Sequence, residues 1–118
     1  MIERIEVTRV HATIDDDLEK YAHKKIGQLD RFTPRRARES LHAEIKLKEG
    51  KAEDKRYCTC EVILHLPHET LTTSESTINM YAAIDIVETK LIQQLKKYKN
   101  KYYNPKLYRR LLVRMKRS

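Results

Sequence analysis

The chain has 118 residues, 40% of them hydrophobic and 36% charged, and its 25 Lys and Arg against 17 Asp and Glu give a formal charge of +8. That length fits one domain with a modest core, no stretch approaches the roughly 20 apolar residues of a membrane span, and Cys58-Thr59-Cys60 is no disulfide framework. No apolar segment follows the N-terminus, so no secretory signal is expected. The default is a soluble, reduced, cytoplasmic protein whose basic excess points to a polyanionic partner.

Residues 2–12 open the chain with Ile5 and Val7 on one face and Arg4, Glu6 and Thr8 on the other. A period of two reads as a strand. Val10 is out of phase, so an end or a bulge is expected near Arg9. Asp15, Asp16 and Asp17 then precede Leu18, Tyr21, Ala22, Ile26, Leu29 and Phe32, spaced three and four apart as on a helix. The aspartates suit its start, where carboxylates cap free N–H groups and oppose the positive dipole end. An acidic metal site is the other reading of the triplet, but no distant ligand cluster supports it. Gly27 inside this helix should cost about 1 kcal/mol against Ala, and Thr33-Pro34 should end it. On the helical wheel Lys25 falls within the apolar stripe, either as a snorkelling stem or as a cation aimed past the sheet edge.

Leu41, Ala43, Ile45 and Leu47 alternate with polar residues, a half-buried strand. Residues 49–55, with Gly50, read as a hairpin loop. A third strand follows over 56–66, with Cys58, Cys60, Val62, Leu64 and Leu66 on one face. Pro67-His68 makes a turn, and the hydroxyl-rich 70–77 segment is a fourth strand in a solvated or edge position. Asn79 can cap a long last helix whose apolar stripe is Met80, Ile84, Val87, Leu91, Leu95, Tyr98 and Tyr102. Lys90, Lys97 and Lys101 run down one flank and Lys99 lies on the other. Asn104-Pro105 breaks that helix. Beyond it Leu107, Leu111 and Met115, with Arg109, Arg110 and Arg114 between them, could form a short cationic helix on a partner.

The predicted order is β-α-β-β-β-α, an α+β fold in which two helices cover one face of a four-stranded sheet, in the manner of a double-stranded-RNA-binding domain. Residues 1–103 form this domain and 104–118 a basic tail. Charge divides unevenly along the chain. All eleven charged residues from Lys90 onward are Lys or Arg, so the segment to Ser118 carries +11 and the rest −3. Such a block is a footprint of nucleic-acid binding, against the blander reading of a solubilising tail.

Catalytic chemistry has no carrier here. Two glycines cannot build a phosphate loop, and GxSxG, HExxH and paired CxxC motifs are absent. Cys58 and Cys60 share one strand face, opposite to His42 and His65, and read as small buried hydrophobes and not as a metal pair. No enzyme, cofactor or metal is expected.

The run from Met80 to Asp85 (MYAAID), then Lys90-Leu91, then residues 94–101 (QLKKYKNK), resembles the second helix of the ribosome hibernation factors, the family of the hibernation-promoting factor and the ribosome-associated inhibitor. Residues 1–102 follow the family's layout. The sequence departs from the family pattern at Gln93 and Gln28, at Asn79 and at Arg9. Ending at Ser118, it is expected to be a short form without the C-terminal dimerisation domain of long members. The resemblance implies a factor that binds the small ribosomal subunit near the decoding centre. There it would block tRNA and mRNA in stress or stationary phase. Lys25, Lys90, Lys97, Lys99 and Lys101 match family basic positions expected to face ribosomal RNA. The full expected RNA-facing set adds Lys24, Arg31, Lys96, Arg109, Arg110 and Arg114. The partner expected is ribosomal RNA of the small subunit, with no membrane and a monomeric state off the ribosome. The alternative is a double-stranded-RNA-binding module acting on other RNA. Liposome flotation would test a membrane-surface role for the tail.

Overall fold

The computed structural model describes residues 1–10 and 15–104. Strand β1 (Arg4–Val10), helix α1 (Asp16–Gly27), β2 (His42–Ala52), β3 (Lys55–His65), β4 (Thr70–Thr77) and α2 (Met80–Tyr103) follow in the predicted order. The sheet order is β1-β2-β3-β4. β1 pairs parallel with β2, while β2, β3 and β4 form an antiparallel meander. A parallel pair needs a crossover, which α1 and its connector supply. β4 lies at the sheet edge, one of the two positions its hydroxyl-rich sequence allowed.

The core lies between one sheet face and the two helices. Ala43, Ile45 and Leu47 from β2 and Cys60, Val62 and Leu64 from β3 are buried there. They meet Ile84, Val87, Leu91 and Leu95 of α2, and Ala22 and Ile26 of α1. Each fully buried Leu, Ile or Val contributes about 1.5–3 kcal/mol relative to exposure, so the alternating and helical stripes together set which faces close. Burial pushes the Cys60 thiol up to about 12 and raises Cys58 as well, so both stay protonated. The opposite sheet face is open and balanced in sign, with Arg4, Lys46 and Lys48 set against Glu6, Glu44 and Glu61.

Three expectations need correction or refinement. First, the α-helix predicted to run to Phe32 stops at Gly27, and residues 28–32 continue as a 3-10 turn. The first residues of the chain cross here: the Ile2 N–H donates to the Gly27 carbonyl at 3.0 Å. A Cβ on Gly27 would sit 2.8 Å from the Met1 methyl carbon. Gly27 is thus the place where the N-terminal segment packs, and not an interior helix weakness. The tighter turn also rotates Phe32 out of the stripe, leaving it 37% exposed. Thr33 closes this turn and is buried, its hydroxyl donating to the Leu29 carbonyl at 3.0 Å.

Second, most of the loop predicted over 49–55 is strand. β2 and β3 pair up to Ala52 and Lys55, leaving a two-residue turn at Glu53 and Asp54 with φ of 53° and 63°. Two positive φ values match the twist of a hairpin. Gly50 therefore sits in the ladder opposite Tyr57, and a Cβ there would run into the tyrosine hydroxyl and ring. Third, β1 ends at Val10, close to the expected place, but pairs without a bulge throughout. Its phase shift arises because Arg9, on the helix side of the strand, is polar and ion-pairs with Glu19 of α1.

Both helix starts are capped as the sequence predicts. Asp15 Oδ1 accepts from the Leu18 N–H at 2.8 Å and Asn79 Oδ1 from the Tyr81 N–H at 2.9 Å. His68, in the link between β3 and β4, has φ of 75°, a left-handed conformation uncommon outside glycine.

Candidate nucleic-acid interface

Burying the stripe of α2 on β3 and β4 leaves its lysines on the outside. Lys96, Lys97 and Lys99 are exposed, and among the described residues no carboxylate lies within ion-pair distance of them. Other cations of the expected set are partly neutralised at home. Lys90 Nζ lies 2.5 Å from Glu75 of β4, and Lys101 Nζ lies 3.9 Å from Glu69. Lys25 reaches across from α1 to Asp85 at 3.8 Å and Glu88 at 3.9 Å, with its ammonium 5.6 Å from the Tyr21 ring centroid. Burial raises the Glu88 carboxyl while Lys25 opposes that rise. Lys25 is therefore a cross-helix tie, its charge set against two carboxylates. Lys24 lies among Asp16, Glu19, Lys20 and His23 on another flank of α1. Arg109, Arg110 and Arg114 lie outside the described residues.

The two flanks of α2 differ. Lys97 and Lys101 face the β4 side, beside Glu69 and Leu71. Lys96 and Lys99 face the connector between α1 and β2, and with it they line an open groove of about 980 Å³. The connector contributes Arg31, Arg35, Arg36 and Arg38. The groove wall thus holds six cations and no carboxylate. Rings complete it: Phe32 from the connector, His68 from the β3–β4 turn, and Tyr102 and Tyr103 from the end of α2. His68 stacks on Tyr102 with centroids 5.0 Å apart and planes at 15°. The Tyr98 hydroxyl donates to the Pro67 carbonyl, fixing that turn to α2. The shared boundary between Pro34 and Ala37 is a short 3-10 turn, in which the Ala37 N–H donates to the Pro34 carbonyl at 2.9 Å. Arg38 Nε donates to the Thr33 carbonyl at 3.1 Å and so serves the connector's own shape.

Of the predicted residues, Arg31, Lys96 and Lys99 are brought together in this groove, Lys97 and Lys101 share the other flank, and Lys24 and Lys25 stand apart. Sequence reasoning missed Arg35, Arg36, Phe32, His68 and Tyr102. The signal was present in residues 31–38 (RFTPRRAR), four arginines in eight positions without an acid. It was hidden inside a segment whose total charge is close to balanced. A cationic, ring-bearing and carboxylate-free surface suits phosphates and bases. Among the described residues no group of His, Cys, Asp and Glu could hold a metal ion, and no helix is long and apolar enough to cross a membrane.

Comparison with known proteins agrees in fold. The chain is 31% identical over 98 residues to the ribosome hibernation promotion factor of Staphylococcus aureus (strain COL), a match covering 83% of this chain and 49% of that protein. It thus spans about half the length of this curated relative. A ribosomal subunit interface protein from Coxiella burnetii superposes with a TM-score of 0.66 at 26% identity, over 81% of this chain and 97% of that one. The N-terminal domain of Protein Y from Thermus thermophilus shares the fold with a TM-score of 0.62 at 24% identity, over 80% and 98% of the two chains. A family model described as Sigma 54 modulation protein / S30EA ribosomal protein matches residues 5–103, and the chain belongs to that family.

Proposed function

We propose that this protein silences ribosomes: it docks on ribosomal RNA of the small subunit near the decoding centre and occupies the path of tRNA and mRNA in stress or stationary phase. The observation that carries this reading is the division of charge over the fold. Lys96, Lys97 and Lys99 on α2 and the connector arginines lack carboxylate partners among the described residues, while the open sheet face is balanced in sign. A surface of that kind binds phosphate without reading sequence, and the rigid sheet and helices set the orientation. The action is steric and needs no catalytic group. The names of the Staphylococcus aureus and Coxiella burnetii relatives support a ribosomal partner.

The test uses sedimentation with purified small subunits. Lys97→Glu with Lys101→Glu should reduce co-sedimentation by about tenfold or more, since reversing two charges changes several phosphate contacts. Unchanged co-sedimentation would refute docking through α2. A preference of the wild-type protein for free duplex RNA over small subunits would favour the double-stranded-RNA-binding alternative.

A further inference from the structure

We infer that the groove between the connector and the C-terminal end of α2 is a seat for an unpaired nucleotide, held by stacking of its base on Phe32 as well as by charge. The inference rests on the RNA-binding reading and names what one part of that surface recognises. Phosphate attraction alone explains Arg35 and Arg36, and core packing explains Tyr102 and Tyr103, but neither explains the exposed Phe32. Phe32 is 37% exposed, lines the groove and forms no ring pair among the described residues, so its ring is available to a base that enters the groove. Elsewhere along the groove His68 is stacked on Tyr102, and the left-handed backbone at His68 lies in the turn that carries it. Strained residues of this kind persist where the surrounding structure holds them and cluster at binding sites.

The dimensions and chemistry agree. A groove of about 980 Å³ is at the upper end of the range of small-ligand sites, enough for a nucleotide. Six cations around it supply phosphate contacts on either side of a splayed base. A base inside a duplex has both faces covered by its neighbours, whereas a base in a loop, bulge or single strand can lie on an aromatic ring. The groove should therefore prefer unpaired RNA.

The experiment measures binding of the full chain to a single-stranded RNA of about eight nucleotides, within the usual site size, and to an abasic oligomer of the same length and phosphate count. The wild-type protein should bind the base-bearing RNA about fivefold or more tightly than the abasic one, the scale of one stacked base. Phe32→Leu should bring that ratio close to one while leaving abasic binding unchanged, and Phe32→Tyr should keep the ratio. Arg35→Gln with Arg36→Gln should weaken both oligomers alike. A wild-type ratio of one overturns the inference without any variant, and so does a ratio that Phe32→Leu leaves intact. Sedimentation with small subunits separates the two proposals. Co-sedimentation with a ratio of one removes the base seat and keeps the ribosomal role. A high ratio abolished by Phe32→Leu, without co-sedimentation, keeps the seat and removes that role.

Discussion

Tyr21 sits half-buried on α1 and donates its hydroxyl to Asp85 Oδ1 of α2 at 2.5 Å, while its ring meets Tyr81 edge-on at 4.9 Å. The hydrogen bond to a carboxylate, then burial, pushes the phenol from 10.0 up to about 12. A raised phenol pKa stabilises the fold fully below pH 10, where the hydroxyl is protonated in both folded and unfolded chains. That contribution is lost as the pH rises towards 12. Tyr21→Phe should therefore lower stability at neutral pH by about 1 kcal/mol, solvent screening keeping it modest. The gap to wild type should close between pH 10 and 12 in urea unfolding followed by circular dichroism. The sequence placed Tyr21 correctly in the apolar stripe of α1. It could not show the hydroxyl's partner, which is 64 positions away. Lys25 was equally ambiguous from its wheel position, and only Asp85 and Glu88 on the neighbouring helix resolve it into a tie between helices.

Among the elements, those whose signals are local were legible. The last helix begins at Met80 because the Asn79 side chain takes up the Tyr81 N–H and seven apolar residues follow at helical spacing. Asn79→Ala should cost about 1 kcal/mol of stability, the usual worth of an N-cap, read as a lower urea midpoint with an unchanged slope. The Thr77 hydroxyl also serves this start, accepting from the Asn79 N–H at 3.0 Å, so a second local bond limits the loss. The elements misread were those shaped by something distant. α1 turns into a 3-10 segment after Gly27 because the first residues of the chain cross it. The hairpin tightens to Glu53 and Asp54 because the ladder between β2 and β3 continues past Gly50, which makes room for Tyr57. A glycine marks close approach as readily as it marks a turn, and spacing alone does not separate the two.

Across the whole molecule, charge separates by face. One sheet face is closed by the helices, the other is open and balanced in sign, and the groove between the connector and the end of α2 gathers cations without carboxylates. Binding to small subunits should therefore be strongly salt-dependent. With roughly six phosphates contacted, the slope of log K against log salt should be about −4 to −5. A slope near zero in a titration from low to high salt would show that apolar contacts dominate instead. Replacing Arg35 and Arg36 by Gln should flatten the slope by about 1 to 2, because under the proposed docking each would remove one phosphate contact.

The sequence by itself determined the order of elements, both helix caps and the buried stripe of α2. Each follows from short-range periodicity or from a capping side chain next to the backbone it serves. It also marked the excess of cations from Lys90 onward. Which of those cations stay available was decided only by the tertiary structure. The fold brings Glu75 to Lys90, Glu69 to Lys101, and Asp85 and Glu88 to Lys25, and it leaves Lys96, Lys97 and Lys99 outside. The same folding carries four arginines from the nearly balanced first part of the chain to the side of α2. A linear sum of charge cannot register that move, because electrostatic attraction depends on distance in space and not along the chain.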